Sequence, residues 1–199
     1  MTIELKNIGK KFNKDWIFRN INYTFSQNNS YAITGFNGSG KSTLLQIISG
    51  FVIPTEGEVS CSNPENLYKH ISIAAPYLEL VEEMTATEFL QFHQQFKPFI
   101  NNISIPSLLE NVELSKAADK QIRYFSSGMK QRLKLAQAFF SNTSILLLDE
   151  PTSNLDKQGI SLYHKLIHSY AANRLLIICS NDETEYSFCK EKLDLSQKS

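Results

Sequence analysis

Residues 35–43, GFNGSGKST, give the strongest indication of the fold and are called the phosphate loop. It satisfies the pattern G-x-x-x-x-G-K-[ST], in which glycines let the backbone wrap so that successive N–H groups point inward. A β-rich run, YAIT, precedes the loop, and LLQIISG follows with an apolar helical face and a glycine suited to end the helix. The positive end of that helix faces the same spot. The stretch therefore predicts a cradle for phosphates.

Two side chains of the phosphate loop have a chemical role of their own. Lys41 can reach the terminal phosphates of a nucleotide, and the hydroxyl of Ser42 can bind Mg²⁺. A chance glycine-rich turn is the alternative, but the strand before the loop and the apolar helix after it favour the phosphate site. The whole loop is expected to hold the nucleotide, through Gly35, Phe36, Asn37, Gly38, Ser39, Gly40, Lys41, Ser42 and Thr43.

A second segment, SILLLDEPTSNLD at residues 144–156, predicts the partner of the phosphate loop. Its apolar run reads as a buried strand that delivers Asp149 and Glu150 at its carboxyl end, where ligands collect in open α/β sheets. Asp149 suits the Mg²⁺ shell, and Glu150 suits polarisation of an attacking water. A carboxylate pair in this position is often only a helix cap. Because the phosphate loop is also present, we favour the Mg²⁺ role for Asp149 and the water-polarising role for Glu150.

The order of the apolar segments predicts an α/β protein. Short apolar strands alternate with helical patterns, which indicates a parallel sheet covered on both faces. Residues 1–34 read as strands, and residues 82–125 read as an inserted helical lobe, opened by a capping box at Thr85 and Glu88. We expect one domain over residues 1–199, with its core in residues 1–81 and 126–199.

Composition excludes several other classes of protein. Twenty Lys and Arg balance twenty Asp and Glu, which argues against a dedicated nucleic-acid binder. Three cysteines without a C-x-x-C pair indicate free thiols in a reduced compartment. No signal peptide and no apolar run long enough to span a bilayer occur in the sequence. These features predict a soluble, cytosolic protein.

A helix with an unusual start follows the helical lobe at FSSGM, residues 125–129, called here the signature segment. It offers the hydroxyl of Ser126 and the N–H of Gly128 at the positive end of a helix. With its motifs taken together, the chain resembles the ATP-binding domain of ABC transporters over nearly all of its length. The phosphate loop resembles the Walker A motif, ILLLDE the Walker B motif, FSSGM the family's signature, and SNLD, which ends at Asp156, its D-loop.

The resemblance implies a fold, ligands and partners. The fold would be a P-loop NTPase of the ABC type: a RecA-like parallel-sheet core, an N-terminal antiparallel β subdomain and an inserted helical subdomain. Two copies would close head to tail on ATP and Mg²⁺, so that Ser126 and Gly128 contact nucleotide bound to the other copy. Asp156 of the D-loop would be a further nucleotide-binding residue. The closure would drive a separate transmembrane permease, which docks on the helical lobe and on residues 74–84. The chain would then lie on the inner face of the cell membrane.

The same resemblance implies that an aromatic residue stacks on the adenine. Phe12, in IGKKF, occupies the matching place, and Trp16 is the second candidate, while either could instead belong to the core.

Two family positions differ in this chain. Pro76 stands where a glutamine usually helps to arrange Mg²⁺ and water, and proline has no side-chain donor or acceptor. Asn181 stands where a histidine usually contacts the γ-phosphate. We therefore expect a working but slow ATPase with Lys41, Glu150 and Asn181 as its catalytic residues. Two alternatives stay open: an ATP-gated dimerisation module with little hydrolysis, and a soluble ABC ATPase outside transport.

Overall fold

The computed structural model describes residues 1–62 and 67–197 and contains two sheets. The first sheet is antiparallel, with strand order β2-β1-β4. Its register shifts three times between β1 and β2, where the two long strands bend. Its strands are β1 (Thr2–Phe12), β2 (Asp15–Ser26) and β4 (Glu56–Cys61).

The second sheet is parallel, with strand order β5-β6-β7-β3-β8, and it confirms the predicted α/β class. Every residue of β6 and β7 is buried, because helices or the first sheet cover both faces. The strands are β3 (Ser30–Thr34), β5 (Ile71–Ala74), β6 (Ile145–Asp149), β7 (Leu175–Cys179) and β8 (Glu191–Asp194).

The parallel sheet separates two apolar cores. Along β6, Leu146 and Leu148 belong to the core shared with the helical region, whereas Ile145 and Leu147 belong to the core shared with the antiparallel sheet. This division follows from the two-residue period of a strand, whose successive side chains point to opposite faces. The continuous apolar run of this segment is therefore what a strand buried on both faces requires.

Seven helices occur in the described part of the chain, and their ends match local sequence signals. The N–H of Gly50, at φ 81°, donates to Ile47, and that of Phe51 donates to Gln46, so a Schellman motif ends the first helix. Thr85 and Glu88 form the predicted capping box. The helices are α1 (Lys41–Ile48), α2 (Leu67–His70), α3 (Ala86–Phe96), α4 (Ile105–Asn111), α5 (Ser127–Phe140), α6 (Lys157–Tyr170) and α7 (Glu183–Tyr186).

The region predicted as a helical lobe contains α3, α4 and three 3-10 turns, Ile100–Asn102, Ser115–Ala117 and Ile122–Tyr124. Its buried side chains, among them Leu90 and Leu109, share one core with Leu133 of α5. The boundaries of the lobe at residues 82 and 125 stay a prediction. Among the described residues, no helix is long and apolar enough to cross a membrane.

Candidate nucleotide-binding site

The carboxyl edge of the parallel sheet brings the predicted site residues together. The phosphate loop follows β3, Asp149 ends β6, and Asn181 comes two residues after β7. Because β3, β7 and β6 are parallel neighbours, these three ends lie at the same edge. Residues far apart in the sequence therefore surround one place in the fold.

The phosphate loop has the left-handed backbone that its glycines allow. Gly38 and Gly40 have φ angles of 89° and 92°, which other residues rarely adopt. A Cβ atom on Gly40 would lie 2.4 Å from Cγ2 of Ile17, so this glycine is required by contact as well as by φ. Gly40 also precedes α1, which has no acidic residue in its first turn. The free amides and dipole of that turn suit an anion.

Lys41 folds back along the phosphate loop. Its side chain is buried, and Nζ donates hydrogen bonds to the carbonyl oxygens of Gly35 at 2.9 Å and Phe36 at 3.3 Å. The ammonium group is thereby held at the mouth of the loop. Beside it lies a cavity of about 310 Å³, lined by Ile17, Asn37, Gly38, Gly40, Lys41, Ser42, Thr43 and Glu150.

Asp149 is the most deeply buried acidic group of the site, at 1% exposure, and neither carboxylate oxygen has a hydrogen-bond partner among the described residues. Burial raises the pKa of Asp149 to about 6, and nearby Ser42 and Lys41 oppose this only in part. A buried carboxylate with unused lone pairs fits a divalent cation. No group of three His, Cys, Asp or Glu side chains is placed to bind a metal in residues 1–62 and 67–197. Further ligands of such a cation would come from Ser42, phosphate and water.

Glu150 lies at a constrained turn directly after the buried strand. Its φ angle is 44°, in the left-handed region that a non-glycine residue adopts only when its surroundings hold it there. Its N–H donates to the carbonyl oxygen of Cys179 at 2.9 Å, and its own carbonyl accepts from Ser153 at 3.1 Å. The side chain is exposed and lines the cavity with Lys41. The geometry suits the water-polarising role predicted for it.

The two residues that depart from the family pattern have clear positions. Nδ2 of Asn181 donates a hydrogen bond to Oδ1 of Asn37 at 2.7 Å, so it touches the phosphate loop itself. Pro76 occupies the first corner of a turn over residues 75–78, which Leu78 closes by donating to Ala75 at 3.2 Å. Proline favours this corner because its φ angle is already set.

The signature segment and Asp156 stand apart from the cavity. Ser126 caps α5, where its hydroxyl accepts from the N–H of Met129 at 3.2 Å, and it is exposed. Neither Ser126 nor Gly128 lines the cavity. Asp156 caps α6 by accepting from Gly159 at 2.8 Å. A structural cap therefore accounts for part of what Ser126 and Asp156 do, and their contacts to nucleotide stay a prediction.

The two candidates for stacking on the adenine differ in their surroundings. Phe12 ends β1 beside the hairpin turn and is 49% exposed, with Nζ of Lys10 5.0 Å from its ring centre. Trp16 is 37% exposed, and both Lys11 and Arg19 lie over its ring. Phe12 is thus the more accessible of the two rings.

Sequence reasoning missed Gln131 and Tyr77. Gln131 is buried on α5 and donates from Nε2 to the carbonyl oxygen of Pro151 at 2.8 Å. A glutamine on the core side of the helix pattern of α5 was the available signal. Burial raises the pKa of Tyr77, and the charge of Asp149 contributes to the same shift. Only its position next to Pro76 pointed to it in the sequence.

The sheet order, the phosphate loop and the carboxylates of Asp149 and Glu150 define a P-loop ATPase, and the signature segment indicates the ABC type. The model of the ABC transporter family matches residues 18–153, and the chain belongs to this family as one of its ATP-binding, ATP-hydrolysing subunits. It is 33% identical to the uncharacterised ABC transporter ATP-binding protein YybJ of Bacillus subtilis strain 168, over 98% of this chain and 92% of that protein.

Other relatives and solved structures agree with this assignment. The cytochrome c biogenesis ATP-binding export protein CcmA of Aliivibrio fischeri is 28% identical, over 91% of this chain and 92% of that protein. The dimeric ATP-binding cassette MJ0796, in a post-hydrolysis state with ADP and Pi, superposes with a TM-score of 0.80 at 26% identity, over 98% and 95% of the two chains. A putative ABC transporter ATP-binding protein from Pyrococcus furiosus has the same fold, with a TM-score of 0.84 at 20% identity over 100% of both chains. The predicted family and fold are thereby confirmed.

Proposed function

We propose that two copies of this chain close head to tail on two ATP molecules and Mg²⁺ and thereby drive a separate transmembrane permease. The observation that carries the proposal is that Ser126 of the signature segment is exposed, and that neither Ser126 nor Gly128 lines the cavity of its own chain. A helix start with free donors, not used by its own phosphate loop, suits the γ-phosphate of a nucleotide on another copy. The dimeric state of the cassette MJ0796 supports this arrangement.

Each residue of the site has a place in the proposed reaction. Lys41 and the phosphate loop bind the phosphates, and Ser42 and Asp149 hold Mg²⁺, which would neutralise charge on the phosphate oxygens. Glu150 orients and polarises the attacking water, and Asn181, held by Asn37, donates a hydrogen bond near the γ-phosphate. Loss of the γ-phosphate removes the contacts that hold two copies together, so hydrolysis reopens the dimer.

The permease would dock in the groove between α3 and the turn over residues 75–78. This groove has a volume of about 230 Å³ and an apolar lining that includes Leu78 and Phe89. Phe92 and Phe96 on its rim are 44% and 66% exposed, which is unusual for large apolar side chains unless another surface covers them. Docking there would place the chain on the cytoplasmic face of the membrane. The balanced charge of the chain gives no support for a nucleic-acid partner.

The substitution Glu150→Gln tests the dimer and the enzyme together. With MgATP, the variant is expected to sediment as a dimer and to release phosphate about 100-fold more slowly than the native protein, since a general base contributes at least that factor. With ATP and EDTA it is expected to be monomeric. A monomer under all conditions, alone and beside the membrane partner, would refute the proposed closure. If both proteins dimerise but release phosphate at the same background rate, the result supports the second candidate function, a nucleotide-gated dimerisation module. Pro76 and Asn181 are the residues that favour this candidate.

The docking site has its own test. A photo-crosslinking residue at Phe92 is expected to capture an integral membrane protein when the chain is expressed in its native cell. The same residue at Tyr68, which is 62% exposed on α2, serves as the control. Equal capture from both positions would contradict docking in the groove.

A further inference from the structure

The turn that begins at Glu150 is held at both polar groups of one peptide bond. The carbonyl oxygen of Pro151 accepts a hydrogen bond from Nε2 of Gln131 at 2.8 Å, and the N–H of Thr152 donates to Oε1 of Glu185 at 2.7 Å. The hydroxyl of Thr152 donates to the same oxygen of Glu185. Gln131 on α5 and Glu185 on α7 are both buried. The peptide bond between Pro151 and Thr152 is therefore fixed from two helices.

Glu185 is an acidic residue in a buried position. It is 3% exposed, and its oxygen Oε2 has no hydrogen-bond partner in the part of the chain that the structure describes. Acidic side chains are rarely buried so completely, because burial removes the hydration of the carboxylate. The carbonyl oxygen of Glu185 accepts from the hydroxyl of the buried Tyr163 on α6 at 2.7 Å, which holds the backbone of α7 at this point. The two bonds from Thr152 help to offset the cost of burying the carboxylate.

The segment that carries Glu185 also carries Asn181. It starts at the end of β7, where the carbonyl oxygen of Cys179 accepts from the N–H of Glu150 at 2.9 Å. Asn181 then bonds to Asn37 of the phosphate loop, and Glu185 follows on α7. One segment after β7 thus contacts the turn after β6 at two places and the phosphate loop at a third.

The backbone of Glu150 needs contacts of this kind. Its φ angle of 44° lies in the left-handed region, which a non-glycine residue adopts only when its surroundings hold it there. Only Pro151 stands between Glu150 and the fixed peptide bond, and the proline ring sets the φ angle of that residue. A set ring and a fixed peptide bond leave the backbone at Glu150 little freedom to relax.

We propose that Glu185 is a positioning residue for hydrolysis: by holding Thr152, it sets the backbone of Glu150 and thereby the place of the carboxylate that polarises the attacking water. Glu185 does not line the cavity beside Lys41, so it would act through Glu150. Misplacement of a reacting group by about 1 Å can cost about 100-fold in rate. The inference rests on the proposed function, because it concerns how this chain places the group that acts on water.

The substitution Glu185→Met removes the acceptor for Thr152 and keeps a side chain of similar length. The kcat for phosphate release is expected to fall about 10- to 100-fold, whereas KM for ATP and the affinity for a fluorescent ATP analogue should stay native. Glu185→Gln still offers an oxygen to Thr152 and should keep most of the native kcat. Glu183→Met, at an exposed position of the same helix, is the matched control and should leave both constants unchanged.

A double substitution separates this role from a structural one. In the Glu150→Gln protein, Glu185→Met should cause no further loss of the single-turnover rate, because the group through which Glu185 acts is already absent. A variant that only reduces the folded fraction would lower the rate by the same factor in both proteins. That result, or a native kcat in Glu185→Met, overturns the inference.

If Glu185→Met does not fold, Thr152→Val takes its place, since it removes only the hydroxyl part of the contact. It should lower kcat in the native protein and have no effect in the Glu150→Gln protein, and equal effects in the two would overturn the inference. Equal phosphate release by the native protein and Glu150→Gln would instead refute the proposed role of Glu150, on which the inference depends.

Discussion

The buried side chain of Gln131 donates a hydrogen bond from Nε2 to the carbonyl oxygen of Pro151 at 2.8 Å. This bond joins α5, which begins with the signature segment, to the turn that carries Glu150. The same two segments approach closely at Gly128, where a Cβ atom would lie 3.0 Å from the carbonyl oxygen of Asn154. The signature segment is proposed to bind one nucleotide and Glu150 is proposed to act on another. These two parts are thus linked within one chain. One hydrogen bond and one close backbone approach therefore join α5 and the signature segment to the turn that carries Glu150.

Replacement of Gln131 by methionine is predicted to destabilise the protein. The variant keeps the volume of the side chain but leaves the carbonyl oxygen of Pro151 buried without its donor, which costs about 1–3 kcal/mol. Urea denaturation of the nucleotide-free protein measures the loss. Gln94→Met, on the exposed side of α3, is the control and should change stability little. Equal stability of the two variants would show that the bond to Pro151 contributes nothing.

Two glycines of the phosphate loop are predicted to respond differently to alanine. Gly40→Ala should abolish nucleotide binding, because its Cβ atom would overlap Ile17 and Phe18 and displace the start of α1. Gly38→Ala meets no atom within 4 Å, so it should suffer only the strain of a left-handed alanine, roughly 1–2 kcal/mol. Affinity for a fluorescent ATP analogue separates the two variants. Equal losses in both would mean that backbone strain, not the contact with β2, decides the fit.

Asp149→Asn is predicted to stabilise the free protein at neutral pH. The pKa of Asp149 is raised from 3.8 to about 6, so the folded state binds this proton more tightly than the unfolded state does. The resulting stability is present at acid pH and is lost as pH rises from about 4 to about 6, by at most about 3 kcal/mol. Asparagine cannot ionise, so the difference in stability between the two proteins should grow over this range and stay constant above it.

Urea denaturation in EDTA at several pH values measures that difference. The variant should also lose the Mg²⁺-dependent part of nucleotide binding, which links the stability cost of this carboxylate to its proposed role. If Asp149→Asn is no more stable than the native protein above pH 6, the ionised carboxylate of Asp149 does not destabilise the folded protein, and the prediction is wrong. Ser144→Ala, at the amino edge of the same sheet, controls for a general effect of substitution near β6.

Sequence patterns predict those elements of this protein that depend on interactions between residues close together in the chain. The helix after the phosphate loop, the Thr85–Glu88 capping box and the buried strand before Asp149 each depend on neighbouring residues only, and the structure contains all three. The bond from Gln131 to Pro151 and the bonds from Lys134 to Ala75 and Pro76 depend on strand order and helix packing. Nothing in a single sequence lists those contacts, so they became visible only in three dimensions.

The departures from the family pattern show the same division. The sequence indicated that Pro76 cannot replace a glutamine, because proline lacks a polar side chain. It did not indicate that Pro76 begins a turn whose carbonyl groups accept from Lys134, since that depends on the register of β5 and β6 and on how α5 packs. Likewise, asparagine at 181 was identified, but its bond to Asn37 depends on how β7 and β3 pair.

Phe12→Ala is predicted to weaken ATP binding, whereas Trp16→Ala should leave it nearly unchanged. Stacking of a base on an aromatic ring is worth about 1–3 kcal/mol, so loss of the Phe12 ring should reduce affinity about 10-fold or more. The ring of Trp16 already has Arg19 4.2 Å from its centre and Lys11 on it, and a base would have to displace one of these cations. Binding of ATP and of inorganic triphosphate should be compared for both variants. Loss of a ring that stacks on the base should weaken ATP binding and leave triphosphate binding unchanged. If Trp16→Ala shows this pattern and Phe12→Ala does not, the adenine stacks on Trp16.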